Sequence, residues 1–190
     1  MRSSTANPMT PELASPRAYE KGFSLIELLI VVAIILIIAA IAIPNMLASK
    51  KAANQAAAVS AVRTITSGAF SYTTIYGDGY PPSFDTLGGT PGNPATCDAA
   101  ILVDQTIASA PYQKSGYQFA YTPENGTVAS KPASCANPGV NGYLLTAVPV
   151  VIGATGNLSY CSTEDGVIHY DPNAGTAASE NACHTLPGVQ

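Results

Sequence analysis

At 190 residues the chain has room for one ordinary domain and an extra element, and 47% of it is hydrophobic while only 11% is charged, well under the roughly one quarter usual in a soluble domain. The net charge is −4, with Arg2, Arg17 and Lys21 against Glu12 and Glu20 leaving the excess of acid beyond residue 22. That balance argues against nucleic acid as a specific partner, since neutralising phosphates requires clustered Lys and Arg, and only Lys50, Lys51 and Arg63 approach a cluster, on what reads as a solvated helix face.

After a polar stretch of about twenty residues the chain is apolar from Phe23 to Ile43, interrupted only by Ser24 and Glu27. As a helix, at 1.5 Å per residue, this run reaches about 30 Å, the thickness of a bilayer's hydrocarbon core. Lys21 before it suits a cytoplasmic flank and places the remainder outside the cytoplasm. A cleavable secretory signal cut after Ala40-Ile41-Ala42 fits less well. The run is longer than the usual h-region, a polar stretch precedes it, and an acid lies inside it. An ordinary one-helix anchor also leaves Glu27 unexplained, because an acid within a membrane helix costs roughly 2.5–3.5 kcal/mol on insertion scales and needs a partner.

The run Lys21-Gly22-Phe23-Ser24-Leu25-Ile26-Glu27-Leu28-Leu29-Ile30-Val31-Val32 resembles the cleavage and methylation site of type IV prepilins and of type II secretion pseudopilins. The resemblance implies that residues 1–22 are a leader removed by a membrane peptidase that cuts between Gly22 and Phe23 and then methylates the new amino terminus. It implies that Glu27 is the acid needed for assembly, and that an inner-membrane assembly platform with its ATPase builds a helical filament of many copies. The residue chemistry agrees. Glycine leaves the scissile backbone open, and the amine created on Phe23 can pair with Glu27 of a neighbouring copy in the apolar filament core, where an unpaired charge costs several kcal/mol.

Pro44 also matches the family. It removes a helix hydrogen bond and clashes with the preceding turn, so a kink or short break is expected there. From residue 44 to 77 the expected helix is alanine-rich and amphipathic, with Val62, Ile65, Ala69, Tyr72 and Tyr76 on one stripe facing a core. Gly77 is the expected stop. The tyrosines read as core rather than as an electron-carrying path, because aromatics bury large areas at low entropy cost.

Residues 78–190 form the expected head. A turn-rich loop runs through Asn93-Pro94, followed by a helix from about Asp98 to Ser109. Strands are expected over Tyr117–Tyr121, Tyr143–Val151, Leu158–Cys161 and Val167–Tyr170, joined by turns into an antiparallel sheet and followed by a mobile tail. The fold class is therefore α+β, a long helix on a small antiparallel sheet, and it resembles the pilin fold. Cys97, Cys135, Cys161 and Cys183 all fall in the head, and four cysteines in an exported domain favour two disulfides. Three pairings are open, the sequential one being simplest.

No catalytic constellation or cofactor motif emerges, and the chain is expected not to be an enzyme. His169 and His184 lack a His-x-x-x-His or Glu partner at ligand spacing, and Cys183-His184 are merely neighbours in sequence. Glu164, Asp165 and Asp171 are weak calcium candidates by resemblance to major pseudopilins, but their spacing is not that of a calcium loop, and they read better as turn and cap residues. Asn125-Gly126-Thr127 and Asn157-Leu158-Ser159 match the glycosylation pattern and read as turns. The expected role is a type IV pilus subunit for adhesion, motility or uptake. It would be stored in the inner membrane with its head in the periplasm, then become extracellular. The alternatives are a major pseudopilin of a periplasmic pseudopilus and, more remotely, a solitary membrane-anchored binding protein.

Overall fold

A computed structural model describes residues 22–90, 92–129 and 132–189. The expected leader, with its Lys21 flank, lies outside the described residues except for Gly22. In chain order the elements are α1 (Leu25–Tyr76), α2 (Phe84–Leu87), α3 (Gln105–Ala108), β1 (Gln113–Lys114), β2 (Tyr117–Thr127), β3 (Val140–Pro149), β4 (Ser159–Ser162), β5 (Ile168–Asp171) and α4 (Glu180–His184). The chain divides into two units, Met1–Ala42 and Ile43–Gln190.

In the first unit the described residues form the opening of α1, and its Leu, Ile and Val side chains from Leu25 to Ile41 are exposed. The helix passes through Pro44 without interruption, so the short break considered there is not present. One missing N–H costs a few kcal/mol, a loss a helix of 52 residues absorbs.

In the second unit the later turns of α1 carry the core stripe. Val62, Ile65, Ala69 and Tyr72 are buried, and Tyr76 packs at the margin. Gly77 ends the helix at a φ of 64° and returns its N–H to the Thr73 carbonyl at 3.0 Å, a left-handed stop that glycine adopts without steric cost.

The sheet is antiparallel throughout, in the order β1-β2-β3-β4-β5. One face meets α1 through Tyr117, Phe119, Tyr143 and Leu145. Tyr143 stacks on Tyr121 at 5.2 Å and meets Tyr80 edge-on at 5.1 Å. The tyrosines are thus core packing, and two of their hydroxyls are anchored: Tyr72 donates to the Cys97 carbonyl at 2.9 Å and Tyr117 to the Leu158 carbonyl at 2.8 Å. All of β4 is buried because a second cluster, Leu144, Cys161 and Cys183 with Ala177 and Leu186, covers the opposite face.

Three local expectations need correction. The helix expected from Asp98 to Ser109 shrinks to α3, because the backbone N–H groups of Ala100, Ile101, Leu102 and Val103 bond to carbonyls of Thr86, Gly88 and Leu87 instead of to their own turn. Asn125-Gly126 is a bulge within β2, with both residues at positive φ and the β2–β3 register shifting there, not a turn. The tail is held in place, since α4 is tied to β4 by Cys183, and Tyr170 and Val189 donate to the Pro187 and Ile168 carbonyls at 2.9 and 2.7 Å.

Candidate processing and assembly site

Gly22, Phe23 and Ser24 precede α1 in non-helical backbone, and Phe23 is 82% exposed. A Cβ on Gly22 would meet nothing within 4 Å among the described residues, so no described side chain crowds the Gly22–Phe23 peptide.

Just beyond, Glu27 folds back onto the start of the helix, its Oε2 accepting the Ser24 N–H at 3.0 Å, while the Leu28 N–H donates to the Ser24 carbonyl at 3.2 Å. Ser24-x-x-Glu27 has the spacing of a capping box, and an acid in the first turn also faces the positive end of the helix dipole. The expectation that Glu27 pairs between subunits took no account of this local role, although the four-residue pattern was legible.

The helix that follows is long and apolar enough to cross a membrane, and none of its most apolar window is buried. Pro44 lies within α1 and is exposed.

In the head the cysteines form Cys97–Cys135 and Cys161–Cys183, the sequential pairing of the three left open, with no free thiol. The first ties the loop after α2 to the β2–β3 connection. The second ties β4 to α4.

Of the three calcium candidates, Asp171 and Asp165 each serve their own turn. Asp171 accepts the Asn173 and Gly175 N–H groups at 2.8 and 3.1 Å. Asp165 Oδ1 accepts from the Thr163 hydroxyl and the Val167 N–H, both at 2.9 Å. Burial opposes the charge on Asp165, but those two donors and the neighbouring histidines outweigh it and hold the carboxyl below its ordinary value. Glu164 lies beside Glu180, and burial, then that neighbour, push its carboxyl up.

Sequence spacing alone missed one grouping. Asp165 and His169, like Glu180 and His184, stand four residues apart, and the fold places His169 and His184 each 3.6 Å from Asp165 Oδ2. The two i,i+4 pairs were the available signal, and Glu180 is an acidic partner of the kind His184 was expected to lack, but their 15-residue offset is bridged by long-range links: strand pairing, the Cys161–Cys183 bond and the bonds of residues 186–189 onto β5.

Comparison with known proteins places its matches at the N-terminal helix. The prokaryotic N-terminal methylation motif matches residues 17–43. The type IV wide pilus major component PilA4 of Thermus thermophilus is 71% identical over 34 residues, which is 18% of this chain and 26% of that protein. The chain therefore matches about a quarter of the relative's length. No solved structure matches. Residues 17–43 match the prokaryotic N-terminal methylation motif, and in its N-terminal region the chain is similar to a type IV pilus component.

Proposed function

We propose that the chain is the structural subunit of a type IV pilus, made as a precursor, stored in the inner membrane and polymerised through α1. The observation that carries this reading is the sequence of features at the N-terminus: an open Gly22–Phe23 bond, a capping acid at Glu27, and a long run of exposed apolar side chains. A helix so apolar has no stable place in water and needs a bilayer or other copies of itself around it.

In this reading the membrane peptidase cuts between Gly22 and Phe23 and methylates Phe23. The head faces the periplasm, and the assembly platform with its ATPase extracts the subunit into an extracellular fibre. The relative's being a major pilus component supports a pilus over a secretion pseudopilus, and the role is structural rather than enzymatic.

Mass spectrometry of sheared surface fibres tests the proposal, with a chain starting at N-methylated Phe23 as the expected result. Fibres lacking this chain, or a mature chain starting at Met1 or beyond Ala42, would overturn it. Glu27→Leu should leave membrane level and cleavage unchanged while reducing fibre yield. Normal yield would remove Glu27 from assembly.

A further inference from the structure

Asp165 in the β4–β5 turn, His169 on β5 and His184 at the end of α4 each offer one donor atom to a common point, and these atoms lie within 4.8 Å of one another. Asp165 Oδ2 stands 3.6 Å from His169 Nε2 and 3.6 Å from His184 Nδ1. Both distances are too long for hydrogen bonds.

The surrounding bonds fix which atoms face that point. His169 is only 9% exposed, and its Nδ1 donates to the Leu186 carbonyl at 2.7 Å, while its Nε2 is buried with no hydrogen-bond partner among the described residues. A neutral His169 therefore aims its lone pair at the Asp165 carboxylate, an arrangement that repels unless a proton or another cation lies between them.

Thr163 sets the second histidine. Its hydroxyl proton is committed to Asp165 Oδ1, so the 3.1 Å contact with His184 Nε2 must have the ring as donor. Glu180 Oε1 lies 3.8 Å from the same nitrogen. His184 Nδ1 is thus also a lone pair facing Asp165 Oδ2.

We propose that Asp165 Oδ2, His169 Nε2 and His184 Nδ1 form a binding site for a divalent transition-metal cation of the Zn²⁺ type, with water completing the set. Tetrahedral Zn²⁺ at 2.0–2.1 Å from its ligands spaces them about 3.3 Å apart, and two of the three edges here are 3.6 Å, so closure by a few tenths of an ångström on those edges reaches it. Two imidazole nitrogens with one carboxylate suit zinc, while Ca²⁺ takes oxygen donors. Each histidine holds its other nitrogen on a carbonyl or hydroxyl acceptor, the outer support that metal-ligating histidines have. The ion would brace the β4–β5 turn, β5 and α4, and would explain the unpartnered His169 nitrogen.

The full chain in detergent micelles, stripped with EDTA, is titrated with Co²⁺ and then Zn²⁺. One Co²⁺ per chain, with the intense visible absorption of tetrahedral coordination, displaced by Zn²⁺ and not by Ca²⁺, is expected. The chain contains 2 histidines, so imidazole NMR signals report on this site alone and should both shift. Asp165→Asn, which keeps an acceptor for Thr163 and Val167, and His184→Gln should each weaken binding at least 100-fold, and Thr163→Val about 10–100-fold. Circular dichroism and thiol assay confirm that each variant keeps its fold and disulfides; where one does not, the other decides. Absence of saturable tetrahedral Co²⁺, binding unchanged in the variants, or displacement by Ca²⁺ would overturn the proposal.

Discussion

Removing the Cys161–Cys183 bridge by alanine substitution at both positions isolates what the staple contributes to the head. The two cysteines are separated by 22 residues, and both are almost wholly buried. In the chain-entropy description, a loop of that length constrains the unfolded chain by about 11 cal/mol/K, or about 3.4 kcal/mol at 25 °C. For a unit of about 150 residues, unfolding entropy near the midpoint is about 0.3 kcal/mol/K, so the loss corresponds to a fall in Tm of about 11 °C. Thermal unfolding of the full chain in detergent, followed by circular dichroism and compared with native, reads it directly. The effect has a location as well as a size. Amide exchange should accelerate first at Leu186 and Val189, whose N–H bonds depend on α4 and the segment after it, before it accelerates in β2 and β3. A fall in Tm under about 3 °C, or exchange that accelerates evenly through the sheet, would refute the reasoning and mean that packing alone seats α4.

Ile65 is fully buried against the sheet, so Ile65→Ala should cost about 2–5 kcal/mol through lost burial and the cavity left behind, measured by denaturant titration; a cost below 1 kcal/mol would contradict the assigned core stripe. Burial, then Asp78 and Asp98, push the Tyr72 phenol up to about 12, and burial raises Tyr117 and Tyr143 as well. Because the folded state holds these protons more tightly than the unfolded state, whose tyrosines titrate near 10, their contribution to stability is complete below pH 10 and is lost as pH rises through 12. Tyrosinate absorbance should therefore show a late fraction that appears together with loss of the circular dichroism signal. Full tyrosinate formation with the signal intact would contradict the burial of these rings.

What was legible in the chain, and what was not, separates by range. The apolar block, the Val62-Ile65-Ala69-Tyr72 stripe and the Gly77 stop depend on one helix and its periodicity, and alternation at Tyr117–Tyr121 found the start of β2. The misreadings lie where the deciding bonds come from distant residues. Ala100 to Val103 look helical in isolation, but the α2 region offers their N–H groups carbonyls to pair with. The tail looks polar and loose until Cys183 is joined to Cys161 and the Val189 N–H to Ile168. The Asp165-His169-His184 grouping was hidden for the same reason, since His184 arrives only with α4. Ser24-x-x-Glu27 differs: its spacing is purely local and legible in the sequence, where the same acid also carries the assembly motif.

The capping contact of Glu27 bears on how the proposed filament would choose its register. In the separate chain its carboxylate is occupied by the Ser24 N–H, a cap of about 1 kcal/mol by the usual cost of losing one. The proposed leader cleavage would change the balance by placing a new amine on Phe23, one residue from the capped amide. Within a dry bundle of apolar helices, an amine and a carboxylate left apart each cost several kcal/mol, more than the cap is worth. Exchange of the Ser24 cap for a neighbour's Phe23 amine is therefore favourable only when the neighbour stands at the height where the two groups meet. A subunit at any other height keeps its cap and leaves the amine unpaired. In the proposed filament the capping bond would hold the acid ready at the helix end, and the apolar surroundings would make its correct partner the deciding contact in an otherwise unspecific surface of Leu, Ile and Val.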